Sequence, residues 1–229
     1  MITTDERAPS ERREQDLKLR QTANNLRVAM PGIIQEFNAE EQTVTVQCAI
    51  REKINMDGDL SWQDIPLLLD VPIIFPRAGN YILTMPIQAG DECLVVFGDS
   101  CMDAWWQSGG VQNQIDCRRH DLSDGYAIVG LYSQPRRINN YSTSTAQLRT
   151  LSGDAYVELD GTTINIVGSE ININAPTVNV NGPNTTITGR TVIDGKTSIT
   201  SETDIQGRDF LSHTHKGVQT GSGSTGGVN

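Results

Sequence analysis

Polar and apolar residues along this chain fall into two β patterns with different periods. Between about residues 27 and 135, "TVTVQCAI" alternates strictly, "IPLLLDVPIIF" and "YILTM" are apolar runs, and "GDECLVVFGD" is a short apolar stretch bounded by turn residues. Such signals recur at roughly ten-residue intervals, with Pro and Gly between them. Five or six short strands in about 100 residues predict a small closed or partly closed β-barrel, a class that includes the OB-fold.

From about residue 156 the text becomes short triplets separated by four-residue links. INI (164–166), INI (171–173), VNV (178–180), TTI (185–187), VID (192–194) and ITS (199–201) are six triplets held at a constant spacing of seven. A seven-residue period invites a coiled coil, but the triplets are β-branched and the links are Gly, Pro, Asn, Ser and Thr, which break helices and favour turns. In a strand, residues i and i+2 share a face. Ile164 with Ile166, Ile171 with Ile173 and Val178 with Val180 therefore present apolar pairs to one side, and Asn165, Asn172 and Asn179 face the other. One thin chain cannot bury such faces, and its open edges would aggregate. Several copies wound about one axis solve both problems. The pattern predicts an obligate oligomer, with three the natural count, forming an intertwined β-helix of triangular section (a β-prism).

Ahead of both patterns, residues 1–26 form a highly charged arm of nearly balanced sign. "SERREQDLKLRQTANNL" offers Ser10 as a helix N-cap, yet its three leucines are too few to bury alone. The arm either orders on a partner or stays mobile. Residues 138–155 read as a polar linker.

Composition narrows the function classes. A net charge of −10 with 20 % charged residues and no basic stripe disfavours nucleic acid as a partner. The N-terminus lacks a signal-peptide core and no run of about 18 apolar residues occurs, so neither export by the usual route nor a membrane span is expected. Cys48, Cys93, Cys101 and Cys117 show no CxxC spacing and read as buried free thiols of a protein assembled in the cytoplasm. Asp99, Ser100, Asp103, His120, Asp121 and Asp124 resemble a hydrolase constellation in type alone. "RRHDLSDG" fits better as a turn in which Asp121 or Ser123 caps a short element and Gly125 takes an unusual backbone angle. Trp105 and Trp106, beside a Gly-Gly turn, read as a packed corner or subunit contact more than as a stacking platform. No enzyme is expected.

The stretches "LRVAMPGIIQEF", "DAWWQSGGVQ" and "RRHDLSDGYAIVGLYSQPR", within about 27–137, resemble the N-terminal domain of phage membrane-puncturing spikes, found at the centre of contractile-tail baseplates. The repeat and the closing "HTHKGVQTGSGSTGG" match the same organisation. The resemblance implies an all-β homotrimer: an OB-fold collar (27–137), a trimeric β-helix needle (156–207) and a metal-binding tip (208–229). In this family the His-x-His of each chain holds one iron ion on the threefold axis, which carried over makes His213 and His215 the ligands. Two residues apart on an extended segment they point to one side, and three copies supply six nitrogens, an octahedral set unlike tetrahedral zinc sites. Iron itself comes from the resemblance alone, and a frayed Gly-rich terminus is the competing reading of the tail.

The implied function is the central baseplate spike of a phage tail or tail-like particle. It punctures the host outer membrane mechanically on sheath contraction, touching that membrane transiently and docking a baseplate hub through its collar. Some related spikes carry a lysozyme domain between collar and needle, for which the linker here has no room. A trimeric tail fibre or receptor-binding protein is the alternative.

Overall fold

The computed structural model describes residues 14–16, 18–19, 22, 26–56, 59–206, 208–209 and 221. It divides into two units, Met1–Ile171 and Asn172–Asn229. The described residues between 14 and 22 are helical and exposed.

Among the described residues of the first 130 lie nine strands: β1 (Ala29–Asn38), β2 (Thr43–Cys48), β3 (Glu52–Met56), β4 (Asp59–Gln63), β5 (Leu68–Ile74), β6 (Arg77–Ala78), β7 (Tyr81–Ile82), β8 (Glu92–Phe97) and β9 (Gly125–Val129). Five of them close a barrel in the order β1-β2-β5-β9-β8. β3 with β4 and β6 with β7 make separate two-stranded ribbons. All barrel pairs are antiparallel except β5 with β9, where Ile73 faces Ala127 and Ile74 faces Ile128. The small all-β barrel expected from the alternating segments is thus present.

Its interior follows the sequence period. In β2 the alternation sends Val44, Val46 and Cys48 inward, and they pack with Ile34, Leu68, Val71, Cys93, Val95, Phe97 and Ala127. β1 pairs on both sides, Gly32 lying opposite Cys48 on one neighbour and Cys93 on the other. A Cβ at Gly32 would run into Val46, Cys93 and Val95, so only glycine lets the strands approach this closely there. β5 carries one extra residue against β2 between Leu68 and Val71, and Asp70 adopts φ 52° in that bulge.

After the barrel, β10 (Ala146–Arg149), β11 (Tyr156–Asp160) and β12 (Thr163–Val167) form an antiparallel sheet in sequence order. The segment read as a polar linker therefore contributes a strand, and the first INI triplet pairs within its own chain.

In the second unit, the described residues hold only the strands β13 (Asp204–Ile205) and β14 (Arg208–Asp209), which pair with each other. The apolar members of the later triplets, from Ile171 to Ile199, are all exposed in the single chain. Among the described residues no helix is long and apolar enough to cross a membrane.

Candidate functional site

The richest cluster of ionisable groups sits where the segment after β8 meets the segment before β9. The chain leaves β8 through Asp99 and Ser100 and enters the helix α1 (Asp103–Ser108). It returns through "CRRHDLSD" to a 3-10 turn at Leu122–Asp124. Asp124 is completely buried. Its carboxylate accepts from Arg118 Nε at 2.7 Å, Arg118 Nη2 at 3.0 Å and the backbone N–H of Met102 at 2.9 Å. Arg118 also reaches Asp103 at 2.8 Å.

These contacts set the electrostatics. The bonds to Asp124 and then Asp103 hold the Arg118 guanidinium charged more firmly than usual. Arg118 in turn keeps the Asp103 carboxyl below its ordinary value, chiefly through their hydrogen bond. Cys101, Asp103 and Asp124 bring their ligand atoms within 4.8 Å of one another. The guanidinium already bonds both carboxylates, so the cluster's cation is an arginine. A buried, fully bonded carboxylate of this kind pins two loops together.

The neighbouring groups are committed in the same way. Asp121 caps the 3-10 turn by accepting from the Ser123 N–H at 2.9 Å, and that bond lowers its pKa. The capping expected of Asp121 is therefore present. The unusual angle falls on His120, at φ 48°, and Gly125 is ordinary extended backbone at φ −85°. Space is tight at 125, where a Cβ would stand 3.2 Å from Val95 Cγ1. Ser100 Oγ donates to Asp99 at 3.1 Å, and Arg119 also bonds Asp99, at 2.5 Å. His120 Nε2 lies 3.5 Å from Asp99 Oδ1, and its buried Nδ1 has no hydrogen-bond partner. Trp105 meets Tyr126 edge-on with ring centroids 6.2 Å apart and stands beside Trp106, but both tryptophans are exposed in the single chain, so neither is packed into a corner there. Gly109 and Gly110, at φ 65° and 64°, end α1.

Of the four free cysteines, Cys48 and Cys93 are buried, Cys101 is half-buried and Cys117 is exposed, so burial holds for two. Burial pushes the Cys93 thiol up to about 11, with Cys48 adding to the effect. His213 and His215 lie outside the described residues.

Sequence reasoning missed Arg118, the centre of the cluster, and Glu158 in β11. Arg118 had a faint signal, a basic residue six positions ahead of an aspartate in a turn motif. Glu158 accepts from Thr145 Oγ1 at 2.7 Å, Gln147 Nε2 at 2.6 Å and Asn165 Nδ2 at 3.0 Å, and these bonds, led by Thr145, lower its pKa.

No curated protein matches the chain. Residues 30–130, from β1 through the end of β9, match the family model of the phage protein Gp138 N-terminal domain. That stretch lies within the 27–137 segment that carries the phage resemblance, and the match indicates a phage protein.

Proposed function

We propose that this protein is the central spike of a contractile tail baseplate, working as a homotrimer that punctures the host outer membrane mechanically. The observation that carries the reading is the joining of a barrel similar to a phage-protein domain to a seven-residue repeat whose apolar faces find no cover within one chain. The barrel is the collar. Its strand order and single parallel pair suit an OB-type, five-stranded Greek-key barrel. The collar and the charged arm dock a hub protein, and residues 156–207 wind with two further copies into a stiff needle.

At the tip, His213 and His215 of three chains hold one metal ion, iron by resemblance. Six imidazoles are a donor set that an octahedral transition metal accepts. When bound, the ion ties three chain ends together where little apolar area remains to bury, so its binding free energy becomes assembly free energy. A closed shell leaves no position for water or substrate, consistent with a protein that is not an enzyme. The charge of a trimer, three times −10, opposes adhesion to anionic headgroups, so penetration is driven by the work of sheath contraction. A glycan-cleaving fibre would need an acidic and aromatic groove, and residues 168–206 contain no aromatic side chain.

Native mass spectrometry with metal analysis on the same sample tests this. Three chains with one metal ion, the ion lost in His213→Ala, is the expected result. A monomer across the micromolar range overturns the spike, and a metal-free trimer overturns the tip clamp.

A further inference from the structure

The excursion between β8 and β9 is built in a way that packing does not explain. No residue of α1 is buried, so no apolar core fixes where the helix stands. Charge and hydrogen bonds fix it. The Met102 N–H, at the start of α1, donates to the Asp124 carboxylate, and Arg118 ties that carboxylate to Asp103 in the first turn. The Gly98 N–H donates to the Asp124 carbonyl at 2.8 Å, which anchors the same point to the end of β8. A completely buried aspartate thus holds in place a helix that buries nothing.

What the excursion presents is apolar. Trp105 and Trp106 are 46 % and 41 % exposed, Ile115 is exposed and Val111 is fully exposed. The two tryptophan rings stand beside each other with centroids 6.4 Å apart. Tryptophan is enriched among the residues that carry binding energy, because it buries a large and stiff surface. A loop already fixed in one conformation loses less entropy when a partner covers it. The buried cluster therefore preorganises an exposed aromatic surface, a role that the barrel interior does not ask of it.

Charge identifies what fits. Residues 99–124 hold five aspartates against two arginines, a surplus of three negative charges with histidine counted as neutral. Both arginines are engaged within the segment, Arg118 by Asp103 and Asp124 and Arg119 by Asp99. The surplus repels nucleic acid and anionic lipid. A second copy of the chain brings a net charge of −10 and, in a symmetric contact, the same surplus. The complement is an apolar socket rimmed by lysine or arginine on a different protein.

We infer that the 99–124 excursion is the surface by which the barrel docks a basic protein partner, with Trp105, Trp106, Val111 and Ile115 as apolar anchors and the aspartates steering the approach. This rests on the reading of the barrel as a collar that docks a hub, and it gives that contact a place and a chemistry. It is independent of the repeat and of the histidine tip.

The test takes the full chain and the purified hub of the same tail, with hydroxyl-radical footprinting and binding kinetics. In the free protein the four anchors should react. The hub should protect them about fivefold or more, and leave Tyr81, exposed in the β6–β7 ribbon, reactive. Trp106→Ala with Val111→Asp should raise Kd about tenfold or more at an unchanged melting temperature, since neither side chain is buried. Asp116→Asn keeps an acceptor for the Arg118 N–H. It should slow association about twofold or more and weaken its salt dependence. Anchors already protected in the free protein would mean that a second copy covers them, which overturns the inference. Wild-type Kd in the double variant, or a bound hub that leaves the anchors reactive, also overturns it and leaves the spike standing. A wild-type chain that does not bind the hub overturns both this surface and the hub contact.

Discussion

Truncating Arg118 to alanine is the sharpest test of the buried cluster. Asp124 is fully buried, and Arg118 supplies two of its three hydrogen bonds. Without the guanidinium, one backbone N–H from Met102 is left to a carboxylate with no other route to solvation. Removing one member of a buried ion pair costs about 3–5 kcal/mol. Arg118 is 23 % exposed, so water enters from its side, and the lower end of that range, about 3 kcal/mol, is the expected loss. In a domain of this size about 1 kcal/mol moves Tm by roughly 4–8 °C, so the barrel should melt roughly 12 °C lower or more. Tryptophan fluorescence at fixed protein concentration follows the change, because Trp105 rests on Tyr126 beside the cluster. Arg118→Met with Asp124→Asn removes both charges, keeps an acceptor for Met102 N–H, and should recover at least half the loss. A single variant within about 0.5 kcal/mol of wild type, below the range for such pairs, would refute the argument that this pair pins the loops.

Two other perturbations follow from the fold. Glu158 has its folded pKa depressed by the bonds from Thr145, Asn165 and Gln147, so its contribution is complete above the ordinary carboxylate value and is lost as pH falls through the folded one. Amide protection factors across residues 146–166, corrected for the intrinsic pH dependence of exchange, should therefore fall on acidification, and Glu158→Gln should flatten that dependence; an unchanged profile in the variant refutes the role. Gly32→Ala forces a methyl against Val46, Cys93 and Val95, and urea unfolding should register a loss of about 1–3 kcal/mol as over-packing, a neutral result meaning that β1 has slack at the barrel seam.

What the sequence disclosed divides along physical lines. The barrel strands were legible because burial on one face imposes a period of two, as Val44, Val46 and Cys48 show. The cap at Asp121 was legible because capping is a local interaction between residues two apart. The Arg118–Asp124 pair was not, since its meaning depends on Asp124 being buried and on Met102, 22 residues away, reaching the same carboxylate. β10 was hidden for a related reason. Its four residues contain one large apolar side chain, Leu148, and what fixes them is the cross-strand bond from Gln147 to Glu158. The positive angle at His120 defeated composition altogether, because the glycine five residues on was the obvious candidate and took an extended conformation.

The sheet β10-β11-β12 also bears on a hazard that comes with any strict repeat. Chains carrying triplets at 164, 171, 178 and onward present nearly the same face after sliding past one another by seven residues, so the repeat by itself tolerates staggered, misaligned bundles. Ala146–Val167 has no such ambiguity. Its Gln147–Glu158–Asn165 ladder occurs once, and a slip of even one residue would put Glu158 on the apolar side. In the homotrimer proposed above, this short unrepeated sheet would align the copies before the repeat pairs, so that the three chains would reach the far end together.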